Sequence, residues 1–75
     1  MARPVTIPEL AKALNRPRAD IETMIAEGKL PALPPGQQAW NTLWSLLDLA
    51  AALRDLDDPV ARDMAVYVEL LARVG

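Results

Sequence analysis

Two short helices are predicted near the start of the chain, because apolar residues recur there every three or four positions. Thr6 and Glu9 form a capping-box pattern at the first start. Pro17 suits the N1 position of the second helix and Gly28 the position just after its end. Asn15 suits a left-handed residue in the turn between them. The inward stripes are Ile7, Leu10, Ala13 and Leu14 in the first helix, and Ile21, Met24 and Ile25 in the second.

The segment 29–41 is predicted to lack helix, since it contains three prolines and a glycine. Such a sequence permits at most a short hairpin of the edge type. We call residues 29–41 the wing. Trp40 lies at its end, and we expect Trp40 and Trp44 to fill the space between the wing and the helices. An exposed anchor for another subunit is the alternative for Trp44.

Two longer helices are predicted after the wing. The first runs from Thr42 to about Leu56 and is apolar over more than one face, with Leu43, Leu46, Leu47, Ala50 and Leu53 on one side and Trp44, Ala51 and Ala52 widening it. The second begins at Asp57-Asp58-Pro59, an N-cap followed by proline at N1, and runs to about Val74. Its apolar residues recur at spacings of 4, 3, 4 and 3, namely Val60, Met64, Tyr67, Leu71 and Val74.

This second apolar stripe is either internal core or an interface between copies of the chain. A chain of 75 residues cannot surround an apolar helix on every side, and a core of this size contributes only ~3–5 kcal/mol. Self-association is therefore expected, and the protein is predicted to be a homo-oligomer. The candidate interface residues are Trp44, Leu47, Met64, Tyr67, Leu71 and Val74.

The length predicts one mostly α-helical domain over residues 1–75. Residues 6–28 form a helix-turn-helix, residues 29–41 the wing and residues 42–75 a C-terminal helical pair for oligomerisation. The turn between the first two helices has the length typical of a helix-turn-helix motif.

The composition excludes most enzyme chemistry. The chain contains no cysteine and no histidine, which removes thiolate nucleophiles, imidazole bases and the usual zinc ligands. No catalytic residues, metal or cofactor are predicted. The acidic cluster of Asp55, Asp57, Asp58 and Asp63 is better explained by helix capping than by a cation site. No apolar run is long enough for a membrane span, and the N-terminus lacks a signal-peptide core, so a cytoplasmic protein is expected.

The net charge of −2 is distributed unevenly. Up to Leu33 the chain has five basic and four acidic residues, and beyond it three basic and six acidic residues. Only the N-terminal half could attract phosphate.

The second helix carries the candidate DNA contacts. Arg16 and Arg18 flank its N-terminus, where a DNA phosphate would pair with both. Its outward positions are candidates for contacting base edges in the major groove, and Lys29, Gln37 and Gln38 for backbone or groove contacts. The alternatives are ordinary solvated charges and, for Glu22, a local ion pair. The full set is Arg16, Arg18, Ala19, Glu22, Thr23, Lys29, Gln37 and Gln38.

The run from Thr6 to Leu33 resembles the winged helix-turn-helix of excisionase-type and MerR-like DNA-binding domains. An E-L-A-x-x-L first helix, here from Glu9 to Leu14, leads in that family to an E-G-K-L-P segment that opens the wing, here Glu27 to Pro31. Ala39-Trp40-Asn41 followed by two helices is similar to the Cox-type proteins of temperate phages. The resemblance implies a DNA-binding regulator in a bacterial cell that acts in phage excision beside a site-specific recombinase, as a transcriptional repressor, or both.

Two departures favour a second interpretation. Glu22 and Thr23 stand where excisionase-type domains usually place an aromatic residue and an arginine, and residues 34–38 of the wing carry no positive charge. The alternative is a protein-binding module on a helix-turn-helix scaffold, either an antirepressor or an inhibitor of a host or phage protein.

Overall fold

The computed structural model describes residues 3–74, which form four helices and one two-stranded sheet. The prediction of a mostly helical chain is confirmed. In chain order the elements are β1 Val5–Thr6, α1 Ile7–Ala13, α2 Arg18–Ala26, β2 Ala39–Trp40, α3 Leu43–Asp55 and α4 Pro59–Val74.

The turn between α1 and α2 is closed by backbone hydrogen bonds around Asn15. Thr6 caps the start of α1, its hydroxyl accepting the Glu9 amide at 3.2 Å. At the other end Asn15 is left-handed, with φ at 54°. The amide of Arg16 donates to the carbonyl of Ala11 at 2.9 Å, and the amide of Asn15 donates to the carbonyl of Lys12 at 3.2 Å. These two hydrogen bonds form a Schellman motif. The prediction for Asn15 is confirmed.

The same motif ends α2. Gly28 has φ at 79°. The Lys29 amide donates to the carbonyl of Met24 at 2.9 Å and the Gly28 amide to Ile25 at 3.1 Å. The predicted end is therefore confirmed, whereas the start differs by one residue: Pro17 is extended at the N-cap, and α2 begins at Arg18.

The strand pairing differs from the predicted hairpin within residues 29–41. β2 pairs antiparallel with β1, which precedes α1 and α2, with Val5 opposite Trp40. The sequence analysis did not predict β1, because a two-residue strand carries no periodic signal. Apart from β2, the wing is an irregular loop. It contains a turn in which the Gln37 amide donates to the carbonyl of Pro34 and Gly36 has φ at 75°.

Trp40 is the largest fully buried side chain. Its indole Nε1 donates to the carbonyl of Pro31 at 3.2 Å, which ties the wing to the sheet. Leu30 and Val5 are also buried in the same core. The predicted place of Trp40 between wing and helices is confirmed. Trp44 is 73% exposed, so the prediction that it fills space between the wing and the helices is wrong.

The predicted start of α4 is confirmed, whereas α3 begins at Leu43, one residue later than predicted, because Thr42 is its N-cap. Thr42 and Ser45 form a reciprocal capping box at α3. Asp58 caps α4 by accepting the Val60 amide at 2.9 Å. α3 buries Leu46, Leu49, Ala50 and Leu53.

The buried face of α4 is offset from the predicted stripe. It consists mainly of small residues, namely Ala61, Met64, Ala65, Val68 and Ala72. Of the predicted stripe only Met64 is fully in this core, while Leu71 packs partly against it. Val60, Tyr67 and Val74 are exposed. The 4-3-4-3 spacing missed this face because alanines at helical spacing carry little hydrophobic signal, although they allow close helix packing.

The burial of Trp40 predicts a large stability difference between the two tryptophans. Trp40→Phe removes the indole donor and some packing volume, so we expect unfolding free energy to fall by about 2–3 kcal/mol. Trp44→Phe, the matched control, changes it by less than about 0.5 kcal/mol, because that side chain is exposed. Urea unfolding followed by circular dichroism measures both, and equal effects would contradict the fold described here.

A second prediction concerns Glu69, which joins α4 to α3. Its carboxylate accepts hydrogen bonds from Arg54 and Arg73. The bond from Arg54, reinforced by both positive charges, lowers the pKa of Glu69. A lowered pKa means that the unfolded chain binds the proton more readily, so this contribution to stability is present at neutral pH and is lost as pH falls through the acid range.

Glu69→Gln should therefore lower unfolding free energy near neutral pH, and the gap to the unchanged protein should close in acid. Urea midpoints from about pH 7 to about pH 3 test this. A gap that stays constant over that range would show that the ionised carboxylate contributes no stability.

Candidate nucleic-acid interface

One face of α2 is free of the core. Ile21 and Met24 point inward and are buried. The outward positions predicted from the sequence are all exposed, namely Arg18, Ala19, Glu22, Thr23 and Ala26. Asp20 is exposed as well, so the helix presents three charged groups, one hydroxyl and two methyl groups to solvent.

Arg18 and Glu22 form an ion pair along this face. Arg18 Nε lies 3.4 Å from Glu22 Oε1, and both side chains are more than half exposed. The local pairing considered for Glu22 from sequence is thus present. Because the two charges offset each other, this face carries no excess of positive charge.

An open groove of about 470 Å³ lies beside the pair. It brings together Arg18 and Glu22 from α2 with Gln38 from the wing, so three predicted contact residues share one concave surface. The sequence analysis did not select the other lining residues, because they are a helix cap and three apolar positions: Thr6, Ile7, Pro8 and Leu33.

Thr23 is oriented by its own helix. Its hydroxyl donates to the carbonyl of Ala19 at 3.0 Å. The hydroxyl proton is therefore occupied, and the side chain offers a methyl group and an accepting oxygen to a partner.

The remaining candidates lie outside the groove lining. Arg16 Nη2 is 3.8 Å from Asp58 Oδ2, between the turn and the cap of α4. Lys29 Nζ is 3.6 Å from Glu27 Oε1. Gln37 is exposed, and its Oε1 accepts from Asn41 Nδ2 at 2.9 Å.

Comparisons with protein-family models, curated proteins and solved structures found no match to this chain. Among residues 3–74, no helix is long and apolar enough to cross a membrane. In the same residues, no three or more potential metal-ligating side chains are placed so that they could hold a metal ion together.

The candidate oligomer interface is divided by the structure. Trp44, Tyr67 and Val74 are exposed, Leu47 and Leu71 pack partly against the core, and Met64 lies within it. Met64 is therefore inaccessible to a second copy. Val66 and Leu70, at 55% and 54% exposure, extend the exposed apolar surface of α4. They were missed because they fall outside the 4-3-4-3 spacing.

Proposed function

We propose that the chain is a winged helix-turn-helix protein that binds specific sites in double-stranded DNA. The observation that carries the proposal is the exposed outer face of α2, presented by a helix pair with a four-residue turn and bordered by the groove. A helix with an exposed outer face fits the major groove, where side chains reach base edges. The wing, next to α2 across the groove, would lie along the DNA backbone.

Phosphate contacts would come from residues at the start of α2. The Arg16–Asp58 pair is long and exposed, and such pairs contribute only ~0–1 kcal/mol. A DNA phosphate can therefore replace Asp58 as the partner of Arg16. The free amides at the start of α2 would support that phosphate.

Acidic neighbours offset the positive charges at this surface, and this balance favours binding by several linked copies. Each copy would neutralise few phosphates, so useful affinity requires the raised effective concentration of an assembly. We propose that the exposed apolar surface of α4 joins these copies. In this role the protein bends or covers DNA, as a phage excisionase beside a site-specific recombinase, as a transcriptional repressor, or as both.

A second candidate function is supported by the ion pairs themselves. Arg16, Arg18 and Lys29 each have an acidic neighbour within 4 Å. A surface neutralised in this way also suits a protein partner, which the chain would bind as an antirepressor or inhibitor.

The first test is gel retardation of genomic duplex fragments over a salt series. We expect bands at enriched sequences that weaken steeply as salt rises above about 50 mM, because binding releases counterions from DNA. The double variant Arg16→Ala and Arg18→Ala should lose most of this affinity. Its unfolding free energy should change by no more than about 1–2 kcal/mol, because both ion pairs are exposed.

Lys12→Ala is the control for each single arginine variant, since it also removes one positive charge and leaves α2 intact. If the control loses as much DNA affinity as the arginine variants, the loss reflects the change in net charge and not contacts made by those arginines. Absence of retardation at the lowest salt would contradict DNA binding and leave capture of a protein partner as the supported function.

Assembly is tested at Leu70. Leu70→Asp places a charge on the exposed apolar surface of α4, and we expect it to lower the sedimentation coefficient and the cooperativity of DNA binding. Ala51→Asp is the control, because it introduces the same side chain and the same change of charge at an exposed position of α3, outside that surface. If the unchanged protein sediments as a monomer and the Leu70→Asp variant sediments in the same way, assembly through α4 is contradicted.

A further inference from the structure

The Arg18–Glu22 pair has a geometry with consequences for sequence preference. The contact at 3.4 Å is made through Nε, the guanidinium nitrogen closest to the main chain. The two terminal nitrogens of Arg18 lie farther out along a side chain that is 64% exposed. The carboxylate therefore lies beside the inner edge of the guanidinium and leaves the outer edge accessible.

The accessible outer edge of this guanidinium matches the hydrogen-bond acceptors of one base. Guanine presents two acceptors, O6 and N7, in the major groove, and the two terminal nitrogens of arginine can donate to both at once. An arginine that is already positioned loses less side-chain freedom on binding. Its discrimination between guanine and other bases is then greater than that of a freely moving arginine.

We propose, on the basis of the DNA-binding function above, that Arg18 contacts a guanine and that Glu22 is its positioning residue. Glu22 acts through Arg18, and its carboxylate does not need to touch a base. The same carboxylate repels phosphate, which lowers affinity for every sequence, while its positioning of Arg18 raises the ratio of specific to non-specific binding. This role explains the acidic residue on the outer face of α2: Glu22 increases the selectivity of DNA binding.

Direct contact between Glu22 and cytosine N4 is the competing arrangement. In that case Glu22 would act on a base independently of Arg18. The Nε contact favours the positioning role, because an oxygen that holds Arg18 in place is engaged before DNA arrives. The two arrangements differ in whether the effects of the two residues are coupled.

The test begins with selection of preferred sites from a random duplex library by the unchanged protein. We expect one guanine in the selected site whose replacement, or substitution by 7-deazaguanine, lowers affinity by roughly fivefold or more. Arg18→Lys should lose that preference while keeping its charge. Glu22→Ala should reduce it to about twofold or less and raise affinity for unrelated duplex, and Glu22→Gln, which retains an acceptor oxygen, should preserve part of it.

Glu27→Ala is the matched control, since it removes the same charge at the other end of α2, beside Lys29. It should raise affinity for unrelated duplex and leave the guanine preference unchanged. In the Arg18→Lys background, Glu22→Ala should have no further effect on preference.

Each contrary result overturns a distinct statement. If the unchanged protein binds selected sites and Glu22→Ala keeps the full guanine preference, the positioning role is wrong and the DNA-binding function stands. If both variants act additively at separate base pairs, Glu22 contacts a base directly. If the unchanged protein retards no duplex at low salt, both proposals fall.

Discussion

The burial of Trp40 is the constraint on which the arrangement of the candidate surface depends. Its backbone pairs with Val5 across the sheet, and its indole donates to Pro31 in the wing. One residue thereby connects the segment before α1, the segment after α2 and the start of the C-terminal helices. The groove beside α2 exists because the wing is tied back at this point.

Helix ends define the rest of the surface. Asn15 and Gly28 occupy left-handed positions that close α1 and α2 with the same pair of backbone hydrogen bonds. Both chain reversals are held by main-chain hydrogen bonds. The exposed side chains of α2 therefore neither pack in the core nor close a turn. This separation of roles allows charged residues to occupy the outer face at little cost in stability.

The sequence predicted what depends on local chemistry. Caps, breaks and turns were found at Thr6, Asn15, Gly28 and Asp58, since each acts on the backbone within a few residues. The outward positions of α2 also followed from helical spacing. These local signals account for most of the helix boundaries and for the exposed candidate side chains.

Features that depend on distant partners were not predictable in the same way. The pairing of Val5 with Trp40 joins segments far apart in the chain, and two residues show no alternation. Trp44 is exposed although its residue type suggested burial, and the inner face of α4 is built from alanines. The same limit applies to Arg16, whose neighbour Asp58 comes from another part of the chain.

The pairing of β1 with β2 has a consequence for how the chain is made. A protein emerges from the ribosome with its N-terminus first. α1 and α2 are synthesised before residues 39 and 40, so the helix pair leaves the ribosome with one edge of β1 still without its partner. The groove beside α2 is complete only after translation has passed Trp40, and a nascent chain stopped before that residue carries the helices without their sheet.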